Sequence, residues 1–197
     1  MSSIKHGDII FCLIGSKNNP ISKVQTGYNG AVINHCGVVI RENNKYLVLE
    51  AFPKRIKGVQ KITLAHFKRR SHFETTIPRI LVGSVSPEFN HYLDKAINYG
   101  LNQVGKPYDF LYSEDKNALY CSELILDMFN HAHGSYEIFP KSPLVFHDVN
   151  TGELLPHWQK HYVNKGLEVP FDAMGSHPSS LSKSPNIDFH TISGDLF

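Results

Sequence analysis

Tyr120-Cys121-Ser122-Glu123-Leu124-Ile125 sets a thiol immediately ahead of an apolar run. Leu124, Ile125, Met128 and Phe129 recur at helical spacing, which predicts a helix that opens at the cysteine and ends near Gly134. A thiol at a helix N-terminus feels the positive end of the macrodipole and the free backbone N–H groups there. Both favour the thiolate, the reactive form. An isolated cysteine is more often a small buried hydrophobe, so a nucleophilic reading needs a base and a partner that orients the base.

Upstream sequence supplies both. Val32 to Glu42 reads as a strand containing His35-Cys36-Gly37-Val38-Val39-Ile40, Asn43-Asn44 as a tight turn, and Lys45 to Phe52 as the returning strand. Counting back from the turn brings His35 and Glu50 near each other across the ladder, where an imidazole and a carboxylate can share a hydrogen bond. Glu50 sits inside the apolar run Leu47 to Phe52, and a carboxylate with such neighbours needs a partner or a job. Cys36 is adjacent to His35 in a strand, so alternation predicts that it packs on the opposite face, away from the site.

The rest of the chain reads as one domain over 1–180 with a polar tail over 181–197. Ile9 to Ile14 suits a strand buried on both faces. Ile21 to Tyr28 predicts a short helix. Val59 to Leu64 and Thr75 to Val82 read as further strands, with His66 to Arg70 between them as a solvated basic loop. Pro87 opens a helix over about 88–104 with the apolar stripe Phe89, Leu93, Ala96, Ile97 and Leu101; Gly105-Lys106-Pro107 stops it. A short helix is expected over 142–147. The prolines beyond read as irregular chain, and residues 175–197 as a Ser-rich segment over the surface.

Composition excludes several function classes. The chain has 20 basic and 18 acidic residues, a net charge of +2, and no charge asymmetry that suits nucleic acid or an anionic membrane. No apolar run is long enough to span a bilayer. Three cysteines, Cys12, Cys36 and Cys121, at wide spacing without a C-x-x-C are neither a disulfide framework nor a zinc site. His6, Cys12, His35 and Cys36 fit no recognised ligand spacing, so no metal and no cofactor is expected. The polar start lacks an apolar signal region, and with the free cysteines this reads as a reducing, cytoplasmic setting.

Four pieces occur in a fixed order: Gly7-Asp8-Ile9-Ile10-Phe11; Asn34-His35-Cys36-Gly37-Val38-Val39; Val48-Leu49-Glu50-Ala51; and Gly105-Lys106-Pro107-Tyr108-Asp109-Phe110 followed by Tyr120-Cys121-Ser122-Glu123-Leu124. Over about residues 7 to 180 this resembles the permuted NlpC/P60 group of papain-like cysteine hydrolases, the YiiX/YaeF-like amidases. In ordinary papain-like enzymes the cysteine helix precedes the histidine strand, whereas here the histidine comes first. The resemblance implies an α+β, circularly permuted papain-like fold: an antiparallel sheet or partial barrel packed against helices. It implies Cys121 as nucleophile, His35 as base and Glu50 as the orienting third residue. Tyr108 matches a tyrosine that lines the cleft of such enzymes. Tyr120 joins Tyr108 as a substrate-binding candidate, and Asn34 stands where the group commonly has serine.

The expected activity is cleavage of a small amide bond in a small-molecule or short-peptide substrate, through an acyl-enzyme. Two alternatives stay open. A lipid or thioester acyl hydrolase or acyltransferase could use the same triad, and a non-catalytic binding module could use the same scaffold.

Overall fold

The computed structural model describes residues 4–53 and 58–197; the first three residues of the polar start and residues 54–57 lie outside it. Ile9–Cys12 forms β1, and all four residues are buried. Next come α1 (Pro20–Lys23) and a 3-10 turn over Tyr28–Gly30, in place of the longer helix expected over 21–28. The Asn19 side chain stops α1 from extending backwards by accepting from the Ile21 N–H at 2.9 Å. β2 (His35–Glu42) and β3 (Lys45–Ala51) make the expected hairpin. Asn43 and Asn44 turn it at φ 47° and 60°, a left-handed geometry that asparagine tolerates. Val38 stands opposite Leu49, which carries Gly37 alongside Glu50.

β4 (Val59–Thr63) leads directly into α2 (Leu64–Arg70). The basic stretch expected as a solvated loop is therefore a helix. Thr63 caps it by accepting from the His66 N–H at 3.2 Å, and Phe67 anchors it as a fully buried side chain. β5 runs over Ile80–Val85, later than the strand expected over 75–82. The helix expected over 88–104 divides into a 3-10 turn over Pro87–Tyr92 and α3 (Leu93–Asn102). α4 spans Cys121–His133 and stops at Gly134, whose φ of 87° the absence of a Cβ permits.

Beyond α4, β6 (Ser142–Pro143) occupies the place of an expected helix; Pro143 cannot donate within a helical ladder, and the pair bonds β7 instead. α5 (Pro156–Val163) falls where the prolines suggest irregular chain, though Pro156 sits at the first helical position, where proline is favoured. β7 (Met174–Gly175) and α6 (Pro178–Leu181) follow. β8 (Ile187–Ser193) lies within the segment that reads as a surface tail, yet it pairs along the whole of β5.

The main sheet is six-stranded and antiparallel, ordered β4-β3-β2-β1-β5-β8. One face, with Phe11, Cys36, Val38 and Leu49, packs on Ile97 of α3 and on Leu124, Met128 and Phe129 of α4. The other, with Ile10, Cys12, Val39 and Val48, closes on Phe67 of α2. That double cover explains why β1 reads as an unbroken apolar run. A separate cluster joins Val24, Phe146, Trp158 and Tyr162. Among the described residues no helix is long and apolar enough to cross a membrane.

Candidate active site

His35 is the first residue of β2, and its Nε2 lies 2.7 Å from Glu50 Oε2. Glu50 is fully buried. Its Oε1 accepts from Gln60 Nε2 at 2.9 Å, and its Oε2 also takes the Arg70 guanidinium. The imidazole is caged by Phe52, edge-on at 5.1 Å, and by Phe67, stacked at 5.5 Å. Arg70 in turn lies 4.2 Å over the Phe52 ring. Burial works against a charged imidazole here, but hydrogen bonds to Cys121 and to Glu50 outweigh it and carry the pKa of His35 up to about 9. Burial likewise opposes the carboxylate, and the His35 bond with the charges of His35 and Arg70 still holds Glu50 down to about 2. The pair is thus an imidazolium–carboxylate couple across the neutral range.

Cys121 opens α4, with Tyr120 extended before it at φ −100° and ψ 172°. Its thiol is held well below the ordinary value. A hydrogen bond with the Cys36 thiol comes first; burial opposes it; the His35 imidazolium and the Ser122 N–H add to it. Cys36 is pushed the other way, by burial and then by its bond to Cys121, so it is the partner that keeps its proton.

This corrects the expectation that Cys36 points away. Neighbours in a strand do face opposite ways, but α4 packs on the Cys36 face, and His35, at the strand end, bonds Glu50 on its own side while still acting on the Cys121 thiol.

Cys121 lines a narrow cleft of about 500 Å³ of empty space, part of it open to solvent. Tyr108, Tyr112, Tyr120, Leu144, Phe146 and Trp158 form its apolar walls. Tyr108 and Tyr120 both line this cleft, and the Tyr120 hydroxyl accepts from the Ser176 N–H at 2.9 Å. Tyr108 and Tyr112 act on each other's hydroxyls, and both phenols are raised by burial first. Tyr112 has φ 54°, an uncommon geometry for a bulky side chain. Gly58 makes room for this wall: a Cβ there would meet the Tyr108 amide nitrogen at 2.1 Å.

Asn34 also lines the cleft, but its carboxamide is spent on the fold. It exchanges two 2.9 Å bonds with the Ile14 backbone and donates to Ser22 Oγ at 3.1 Å. Phe110, beside Tyr108 in the sequence, is half-exposed and packs on Tyr108 at 5.0 Å. Sequence reasoning misses Arg70, Gln60, Cys36 and Trp158. For Arg70 a signal exists: a buried carboxylate demands a cation, and the basic cluster between β4 and β5 ends there.

A model of the permuted papain-like amidase enzymes, the YaeF/YiiX or C92 family, matches residues 3–189. The chain belongs to this family. An uncharacterized Escherichia coli K12 protein, YiiX, is 23% identical over 181 residues, covering 92% of this chain and 83% of YiiX. The crystal structure of YiiX from E. coli O157:H7 superposes with a TM-score of 0.73 at 22% identity, over 95% of this chain and 97% of that one, and so shares its fold. The sheet, the helices and the histidine-before-cysteine order are those of a permuted papain-like protein.

The E. coli O157:H7 protein is described as a metalloprotein. In this chain, among the described residues, no group of three or more His, Cys, Asp and Glu side chains is arranged to hold a metal ion. The Glu50 carboxylate is engaged instead with His35 Nε2, Arg70 and Gln60.

Proposed function

We propose that the chain is a cysteine hydrolase of the amidase or peptidase type, working through Cys121, His35 and Glu50. One observation carries the reading: an imidazole held 2.7 Å from a buried carboxylate acts on a thiol that opens a helix and lines an open cleft. In the first half-reaction the Cys121 sulfur attacks the carbonyl carbon of an amide, and its C–S bond forms as the carbonyl π electrons move to oxygen. The Cys121 N–H at the start of α4 is the proposed donor to that oxyanion, with the Tyr108–Tyr112 hydroxyls beside it. His35 gives its proton to the leaving nitrogen as the C–N bond breaks. In the second half, His35 takes a proton from water, hydroxide adds to the thioester, and the acid leaves as the thiolate returns. Glu50 holds the ring with Nε2 toward itself, which leaves Nδ1 for the sulfur.

The substrate is a small molecule or short peptide, held in the single catalytic domain. Three free cysteines support a reducing, cytoplasmic setting. The apolar cleft wall also suits a lipid or thioester acyl group on the same triad, and that second reading predicts a long-chain acyl adduct on Cys121.

Iodoacetamide labelling at neutral pH, read by intact mass, tests the core of the proposal. Cys121 is expected to react selectively, and His35→Ala is expected to collapse that selectivity. Slow, equal labelling of all three cysteines would falsify it.

A further inference from the structure

Three buried side-chain polar atoms lacking a hydrogen-bond partner in the protein belong to residues of the cleft beside Cys121: Gln25 Oε1, Ser122 Oγ and Trp158 Nε1. Ser122 is fully buried and Trp158 is 5% exposed. Among the described residues the condition recurs at Arg70 Nε, Asp127 Oδ2 and His190 Nε2, of which the last two sit within ion-pair distance of Lys116 and Asp8. Unmet polarity therefore gathers at the cleft. Folded interiors pair nearly all their buried polar groups, so a cluster of exceptions at a pocket marks groups reserved for something else.

The three atoms are chemically complementary. An indole N–H only donates, a carboxamide oxygen only accepts, and a hydroxyl does either. A carboxylate would suit the indole and repel the carboxamide oxygen; an ammonium would do the reverse. A secondary amide brings one acceptor and one donor together. Charge selects the same answer: apart from the Cys121 thiolate, already paired with the His35 imidazolium, no residue lining the cleft is charged, since none is Asp, Glu, Lys or Arg and burial holds His177 down to about 4, hence neutral. A charged ligand would lose its water here with no counter-ion that is not already paired.

We propose that the cleft recognises a neutral secondary amide distinct from the bond that is cut, borne next to an apolar or aromatic group. Trp158 Nε1 donates to its carbonyl, Gln25 Oε1 accepts from its N–H, and Ser122 Oγ completes the set. Trp158 and Gln25 are then specificity residues. This rests on the cysteine-hydrolase reading and narrows its substrates to neutral N-acylated, peptide-like amides, as against esters and thioesters of plain acyl chains.

The test uses three chloromethyl ketones that alkylate Cys121. N-acetylphenylalanine chloromethyl ketone carries the amide. Its acetoxy analogue keeps the carbonyl but lacks the N–H, and 1-chloro-4-phenylbutan-2-one lacks both. Second-order inactivation rates are read by intact mass and divided by the rate of each reagent with glutathione. The wild-type protein is expected to favour the amide over the plain ketone by about 10- to 100-fold, with the acetoxy compound between. Gln25→Met should erase the gap between amide and acetoxy compounds. Trp158→Phe should erase the gap between acetoxy compound and plain ketone. Gln25 is not a core residue, so its variant serves if the tryptophan variant fails to fold. Equal rates in the wild type, a faster plain ketone, or a preference that survives the Gln25 substitution would overturn the inference. Selective, His35-dependent iodoacetamide labelling beside equal ketone rates sinks this inference alone; loss of that labelling sinks the hydrolase reading itself.

Discussion

The two sides of the site are built on opposite plans. The His35–Glu50 side is local and its carboxylate is saturated: the two residues stand 15 apart in one hairpin, and both carboxylate oxygens are engaged. The Cys121 side is assembled from helices and loops distant in the chain, and its wall keeps polar atoms that the protein does not pair. The satisfied half fixes a charge and a ring orientation before anything binds. The unsatisfied half is shaped to receive. A site divided this way separates the cost of preorganisation from the job of selection.

Breaking the saturated half is expected to have the largest effect. Glu50→Gln should leave the chain folded and lower turnover by about 10²- to 10⁴-fold, because the ring loses the partner that sets its tautomer and favours its charge. Unchanged kcat would remove Glu50 from the chemistry. The same variant checks the electrostatics. His35 is raised from 6.5 to about 9, so its contribution to stability is complete below pH 6.5 and fades as pH rises through about 9. Glu50 is lowered from 4.5 to about 2, so its contribution is complete above pH 4.5 and fades as pH falls through about 2. The difference in melting temperature between wild type and Glu50→Gln should therefore peak between those inner limits and shrink on both sides.

Phe67→Ala attacks the cage rather than the charge. Loss of this fully buried ring should cost about 3–5 kcal/mol of stability, measurable by urea unfolding. A loss below about 1 kcal/mol would mean that α2 does not seal the sheet as described.

Cys36→Ala sharpens the comparison from the other side. It removes the first of the bonds that favour the Cys121 thiolate, so the acid limb of the alkylation profile should move to higher pH. Labelling at pH 6 should slow by roughly tenfold or less. The smallest expected change is for Gln60→Leu. Losing one bond to Glu50 Oε1 should cost about 1 kcal/mol, with the thiol profile unmoved.

Much of the local half can be read from the chain alone. Asn43-Asn44 fixes a tight turn, the turn fixes register, and register brings His35 to Glu50. The start of α4 at Cys121 and its stop at Gly134 are legible for similar reasons, since apolar spacing and a left-handed glycine are local signals. Which face of the sheet α4 covers is a tertiary fact, and strand alternation alone misplaces Cys36 for that reason. α2 is hidden because four of its seven residues are basic or histidine, and a single buried Phe67 does not make a period. β8 is hidden because an edge strand needs only one inward-facing row, and its polar residues read as tail. The cleft wall at Trp158 lies on α5, amid prolines that suggest irregular chain.

The chain order of the permuted fold gives the hairpin a temporal meaning. During synthesis the imidazole and its carboxylate leave the ribosome long before Cys121 does, and closing so short a loop is fast. The sulfur arrives much later. A nascent chain thus carries the histidine and its carboxylate before it carries the thiol. When the thiol does emerge, it waits as an ordinary cysteine until α4 docks against the strands already made.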